Sequence, residues 1–358
     1  MTRSCRPSMV ALELFINNRR ETLGMKTSSP KDRGQVGFNG SQSAYGKLLT
    51  PSLLAAAVLL GFTLVLVNAA AVAQGVDFCQ LTAHDALSSC RTGADSDSQL
   101  ALGKCDNVAD AVQRKACQRQ ASADLKDARQ KCTDQNTARQ AVCDRLGRAA
   151  YDPVIKPANF VVGINNPYFP LTPGTTFIYE GQTAAGLEHD EFFVTHNTTV
   201  ILGVTCIEVH DTVRVNGELT EDTLDWFAQD KEGNVWYFGE NSKQLANGLI
   251  VGLEGSWTGG VDGAKPGIIM KAHPAVGDFY RQEFALDTAE DVAEVVSLTE
   301  SVTVPYGSFD HCLETAETSP LEPAVLENKF YRAGIGNVLT NDITTGETSA
   351  LVQITTEP

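Results

Sequence analysis

From Val204 to Glu240 apolar and polar residues alternate with a period of two, and tight-turn signals interrupt the alternation twice. Val204–Val215 reads as one strand, Asn216-Gly217 as a two-residue hairpin turn, and Glu218–Asp230 as the return strand. Asp230-Lys231-Glu232-Gly233 then reverses the chain into a third strand through Val235, Trp236, Tyr237 and Phe238. With Asn216-Gly217 in the turn, Val215 faces Glu218, and facing pairs have residue numbers summing to 433. That register predicts one apolar face with Ile207, Val209, Val213 and Val215 beside Trp226 and Leu224. The other face would gather Glu208, His210, Thr212 and Arg214 beside Asp225, Thr223 and Glu221.

The same alternation recurs on both sides of this hairpin. Thr175–Glu180, Glu191–Ile201, Tyr280–Ala285, Glu294–Val304, Cys312–Thr318, Phe330–Ala333, Asn337–Thr340 and Ala350–Thr355 all read as strands. No helix-length segment separates them, so parallel crossovers have no place. The pattern predicts a mainly antiparallel β fold, a meander forming a half-barrel, barrel or sandwich. Gly252–Gly267 breaks the pattern with six glycines around Trp257 and Asp262, and reads as a long mobile loop or lid.

Residues 74–150 follow a different rule. Ala, Gln, Arg, Lys and Asp dominate, there is no proline, and Phe78 is the sole aromatic. Cys79, Cys90, Cys105, Cys117, Cys132 and Cys143 are spaced 11, 15, 12, 15 and 11 apart. Eleven residues are about three helical turns, so such cysteines return to one side of a helix. Helices this poor in large apolar side chains bury little surface, and disulfides would supply what the core lacks. A hairpin of helices at 105–118 and 131–145 would nest Cys117–Cys132 inside Cys105–Cys143 and leave Cys79–Cys90. No Cys-x-x-Cys occurs, which removes zinc-ribbon and c-haem readings.

Charge and the N-terminal segment set the compartment. Of 28 basic and 44 acidic residues, positions 151–358 hold only 9 and 31. A surface so acidic repels phosphate backbones and anionic headgroups, which argues against nucleic-acid and membrane-surface binding. Leu53–Val67 is apolar, follows a basic leader and ends in Ala71-Val72-Ala73. It is short for a membrane span and reads as a secretory signal cut after Ala73, leaving no stable membrane insertion. The expected organisation is a leader and signal at 1–73, a Cys-rich helical hairpin or bundle at 74–150, a linker at 151–160 and an acidic β-domain at 161–358. The expected location is secreted or periplasmic, with disulfides formed there.

Several stretches resemble a group of uncharacterised exported bacterial β-domain proteins. They are Asn166–Gly181 (NPYFPLTPGTTFIYEG), Glu221–Asp230 (EDTLDWFAQD), Gly233–Gly239 (GNVWYFG), Gly255–Ala264, Val302–Asp310 and Tyr331–Val338. More loosely the segment is similar to lipoprotein modules whose curved antiparallel sheets cradle apolar ligands. The resemblance implies an exported β-domain and carries over no catalytic residue.

Two chemistries follow from these expectations. A non-enzymatic binding or interaction module would hold a small apolar molecule against Trp226, Trp236, Tyr237 and Trp257, or dock an envelope protein. A metal-assisted or acid–base enzyme, such as a lyase, isomerase or hydrolase, would use Glu208, His210, Asp225 and Glu221, since facing carboxyls share protons or hard cations. No cofactor is expected, and the acidic face leaves room for a divalent cation held by His196, His210 and Asp225. His196 would reach that site only through a bulge in the preceding strand; a plain turn at Leu202-Gly203 sets it opposite Val209. The bland alternative is a solvated strand surface. No Gly-x-Ser-x-Gly elbow is present. Cys206 and Cys312 lie in predicted strands and are expected to form a bridge.

Overall fold

A computed structural model describes residues 75–357. The leader and signal segment expected at 1–73 lies outside the described residues. Val76 onward, helices and strands together, forms one compact unit.

Two long helices come first, α1 (Phe78–Asp106) and α2 (Ala111–Leu146). The Asp77 carboxylate caps α1 by accepting from the Gln80 N–H, and Asp110 caps α2 by accepting from Val112 and Gln113. The intervening turn is only a few residues long, so the helices lie antiparallel along their whole length. Three disulfides join them, Cys79–Cys143, Cys90–Cys132 and Cys105–Cys117. This connectivity replaces the expected nest. The chain reverses at 107–110, not between 118 and 131, so the cysteine spacings mirror each other about that turn. Neither helix is apolar enough to cross a membrane, and no other described helix is.

A short ribbon, β1 (Ile164–Asn166) with β2 (Phe169–Leu171), leads into the main sheet. Its first half comprises β3 (Thr175–Gln182), β4 (Leu187–Ile201), β5 (Val204–Val215), β6 (Glu218–Gln229), β7 (Val235–Ala246), β8 (Leu249–Gly252), β9 (Trp257–Thr258) and β10 (Lys265–Met270). The second half is β11 (Phe279–Arg281), β12 (Glu283–Phe284), β13 (Val292–Val304), β14 (Gly307–Thr318), β15 (Glu327–Arg332), β16 (Gly336–Asp342) and β17 (Thr348–Thr356). The expected strands are present except that Tyr280–Ala285 is divided at Gln282 into β11 and β12, and all pairings are antiparallel.

The order is β11-β13-β14-β15-β16-β17-β3-β4-β5-β6-β7-β10-β12, with β8 and β9 also on β7. The first strand of the domain therefore pairs with the last, β3 with β17. The two remaining edges, β11 and β12, are separated in sequence by Gln282 alone. The sheet is thus a nearly closed barrel whose seam lies at 281–283.

The principal core fills the barrel, with Val194, Val209, Val235, Met270, Val295, Leu313, Val338 and Leu351 essentially inaccessible. A second, smaller cluster of Ile201, Val204, Cys206, Ala228 and Phe238 lies on the opposite face of β5–β7. Ile155 and Phe160 cover it, Phe160 meeting Phe238 edge-on with ring centroids 5.5 Å apart. The stretch expected as a linker is therefore a packed strap. Cys206 belongs to this outer cluster and Cys312 to the barrel core, so the expected bridge between them does not form and both remain buried thiols.

Gly252–Gly267 is likewise packed and not a free lid. Trp257 is buried, its indole N–H donates to Glu283 at 2.8 Å, and β9 pairs with β7 at Gly239. A Cβ on Gly239 would meet the Trp257 carbonyl oxygen at 2.4 Å, and its φ of 141° lies in the region glycine favours.

Helix α2 is locked to the barrel by a buried ion pair. Arg139 gives Glu290 a forked contact, with distances of 2.9 Å from Nε and 2.7 Å from Nη2, and both side chains are almost fully buried. Truncating one partner leaves the other charge uncompensated in the interior. Arg139→Ala is expected to lower the unfolding free energy by about 3–5 kcal/mol. Replacing both residues together, Arg139→Met with Glu290→Leu, is expected to recover most of that loss in urea titrations followed by tryptophan fluorescence.

Candidate functional site

The central hairpin turns where its sequence says it should. Val215 faces Glu218 and Arg214 faces Leu219, with Asn216 and Gly217 both at positive φ. A bulge then inserts Thr220, so Val213 faces Glu221 and every later pair shifts by one. Glu208 consequently faces Trp226, Val209 faces Asp225, and His210 faces Leu224. One extra residue exchanges the two faces of β6 relative to β5.

The expected cluster of Glu208, His210, Asp225 and Glu221 is thereby divided between opposite sides of the sheet. Glu208 and His210 stay on the outer face. His210 approaches Asp222 at 3.2 Å, which Lys243 also contacts at 3.3 Å, and Glu208 accepts from Asn197 at 3.1 Å. Trp226 and Trp236 join them outside, against the small outer cluster. Asp225 and Glu221 turn inward beside Val209 and Val213. Among the four expected ligand-contacting aromatics, Tyr237 alone lines the barrel's interior cavity, with Trp257 behind it edge-on at 5.5 Å. The bulge in β4 does exist, between Val194 and Thr198, but it shifts the register by two and leaves His196 exposed, with Phe193 facing His210. Among the described residues no three His, Cys, Asp or Glu side chains are arranged to hold a metal ion.

What the bulges assemble instead lies inside. A cavity of about 340 Å³ occupies the barrel. Its walls are Phe169, Leu171, Phe177, Phe192, Phe227 and Ile335, with Tyr179, Tyr237 and Tyr331 adding hydroxyls. Into this apolar space β4 projects Glu188 and Asp190, β5 projects Asp211, and β6 projects Asp225. Glu221 lies close enough to act electrostatically on Asp190. The pairings Asp190↔Val213, Phe192↔Asp211 and Val209↔Asp225 place these acids on one wall, across three neighbouring strands.

Burial sets their chemistry. It drives Asp190 up to about 7, against the hydrogen bond it receives from Asp211, with the Glu188 charge adding to the rise. Burial and then the neighbouring Asp190 hold Asp211 well above the carboxylate range. Asp211 therefore keeps the proton the pair shares. Burial and the Asp211 charge raise both Glu221 and Asp225 to about 8, although the Tyr237 hydroxyl donates to Asp225 at 2.5 Å. The Oδ1 atoms of Asp190 and Asp211 have no hydrogen-bond partner. Both residues keep some accessible surface only because they border the cavity.

The opposite wall is built the other way. Lys329 on β15 reaches Glu317 at 2.9 Å and Glu327 at 3.5 Å, while the Thr315 and Tyr331 hydroxyls donate to Glu317. Burial acts to raise Glu317, but the Lys329 charge outweighs it and holds the carboxyl below its ordinary value. One wall thus pairs its anions with a cation, and the other does not.

No family model matches the chain, and no curated protein matches it. Among solved structures, 52% of the chain is similar to 98% of a Bacteroides fragilis protein assigned as exported, with a YmcC-like fold, at 16% identity and a TM-score of 0.33. A Parabacteroides distasonis protein assigned as a lipoprotein aligns over 53% of the chain and 99% of its own length, at 16% identity and a TM-score of 0.27. Likenesses this remote decide neither fold nor function, which rest on the geometry above.

The acid wall makes stability depend on pH with a defined sign. Its carboxyls titrate higher in the folded protein than in the unfolded chain, so the folded state holds more protons between about pH 4 and 8. Their contribution is fully present below pH 4 and is lost as pH rises through 7 and 8. Asp211→Asn retains a donor toward Asp190 and removes one ionisation. The variant is expected to raise Tm by about 3 °C or more at pH 8, and by less at pH 5, in thermal unfolding followed by circular dichroism.

Proposed function

We propose that this protein is an exported binding module that takes one small, mainly apolar molecule into the barrel. The cavity carries the reading. A space of about 340 Å³ sits at the lower end of what small-molecule sites occupy, and aromatic rings contributed by six strands line it. Rings held by a nearly closed ladder lose little freedom when they close on a ligand, so burial of apolar surface there is efficient.

Three disulfides in the helical hairpin support work in an oxidising compartment outside the cytoplasm. The hairpin adds a surface on which an envelope protein could dock. The enzyme reading built on Glu208 and His210 loses its geometry, because Asp225 and Glu221 face the other way.

N-phenyl-1-naphthylamine, an uncharged apolar dye at neutral pH, is expected to bind with one-to-one stoichiometry and enhanced emission. Ile335→Trp fills part of the cavity and is expected to weaken the dye about tenfold or more. Leu249→Trp, at an exposed position, is expected to leave binding unchanged. Equal loss in both variants, or no saturable binding by the native protein, would rule the reading out.

A further inference from the structure

The cavity's charge distribution goes beyond a preference for apolar ligands. Glu188 and Asp190 from β4, Asp211 from β5 and Asp225 from β6 border it, with Glu221 of β6 nearby. The other titratable groups around them are the phenols of Tyr179 on β3, Tyr237 on β7 and Tyr331 on β15, the acids Glu327, Asp342 and Glu347 on the cavity wall, and Glu240 of β7, paired opposite Asp225. The charges that act most strongly on each of these acids are those of the others. Lys329, across the cavity, is already engaged by Glu317 and Glu327.

Three buried carboxyl oxygens of cavity-lining residues lack a partner, the Oδ1 atoms of Asp190 and Asp211 on the acid wall and Oε2 of Glu347. Unpaired acceptors cost free energy wherever water is excluded, and a group of carboxyls without a cation is costlier still. A ligand that brings hydrogen-bond donors and positive charge removes both costs at once. An aromatic lining also favours a cation at its faces, as Phe192 on β4 and Tyr179 beside Asp190 provide.

We propose that the cavity selects an amphipathic amine, whose ammonium group sits among Asp190, Asp211 and Asp225 while its apolar body lies against Phe177, Phe192 and Phe227. This rests on the reading of the barrel as a binding cavity and adds the ligand's chemical class. An ammonium presents three donors, which the two unpartnered Oδ1 atoms and the Asp225 carboxyl can accept. A carboxylate headgroup would meet like charge, and an alcohol would satisfy one acceptor and neutralise nothing. Because the acid wall holds protons near neutral pH in the absence of ligand, an entering ammonium displaces them to solvent, and binding is accompanied by proton release.

Octylamine, octan-1-ol and octanoate, matched in chain length, test the proposal by isothermal titration calorimetry at pH 7.5. Octylamine is expected to bind about tenfold or more tightly than octan-1-ol, with octanoate weakest. Its apparent heat should change between phosphate and Tris in proportion to their ionisation enthalpies, the mark of proton release. Asp211→Asn and Asp190→Asn should each weaken octylamine about tenfold and leave octan-1-ol within about twofold. Glu191→Gln removes an exposed charge from the other face of β4 and should change neither. Equal affinity for octylamine and octan-1-ol, or undiminished octylamine binding in both Asp variants, would overturn the amine proposal and leave the apolar cavity standing. Failure of all three probes to bind would overturn both.

Discussion

Side chains on a strand alternate between its two faces, so a closed barrel assigns every residue either to its interior or to its surface. An inserted residue reverses that assignment for everything beyond it. Thr220 in β6 and the break at Gly239 in β7 are two such points around one wall, while the shift of two between Val194 and Thr198 in β4 keeps its faces. The Thr220 bulge turns Asp225, Thr223 and Glu221 inward and Trp226 and Leu224 outward. Gly239 then allows Glu240, Ser242 and Gln244 to face Asp225, Thr223 and Glu221 on the next strand. Without these irregularities the interior would keep Glu188, Asp190 and Asp211 but lose Asp225 and Glu221. With them it is an aromatic cavity with an acidic side.

This also marks where the sequence stops being legible. Strand positions, the two tight turns at Leu202-Gly203 and Asn216-Gly217, and the antiparallel class all follow from local alternation and turn chemistry, and all are present. The acid wall does not follow, because bulges leave little trace in a pattern that is already half polar. Glu218–Asp230 is acidic on both faces, so neither register looks wrong from composition alone. The sequence does carry one signal: Asp211 sits between Val209 and Val213 at i±2, and Asp190 has Phe192 at i+2. An acid in an otherwise apolar inward series deserved to be read as interior. The disulfides were legible in the same sense. Spacings that mirror each other describe a single hairpin folded at their midpoint, and the Asp110 cap marks where the second helix starts.

The two walls of the cavity show how differently a barrel can hold buried carboxyls. Glu317 is satisfied on every side, by Lys329, Thr315 and Tyr331, and stays ionised as part of the scaffold. Asp190, Asp211, Glu221 and Asp225 are held protonated or half-protonated because nothing of opposite charge reaches them. A core replaced at these positions by valine or leucine would be more stable. Acids held against that preference, converging on a cavity from three strands, fit the binding role proposed above.

The helical hairpin has its physical rationale at the barrel's seam. The ladder fails only at 281–283, where the chain passes from one edge of the sheet to the other, and an unpaired edge invites water or a foreign strand. Helix α2 lies against that edge, Arg145 stacking on Phe279 of β11 at 4.0 Å and pairing with Glu294 of β13, while Arg139 grips Glu290 just beyond. From the other side Tyr151 meets Phe284 edge-on, and Arg281 lies over both rings. A pair of helices with so little apolar surface could not hold this position alone, and the Cys79–Cys143 bridge fixes the partner helix beside the end of α2 that makes the contacts. The hairpin's disulfides therefore hold in place the helix that covers the seam.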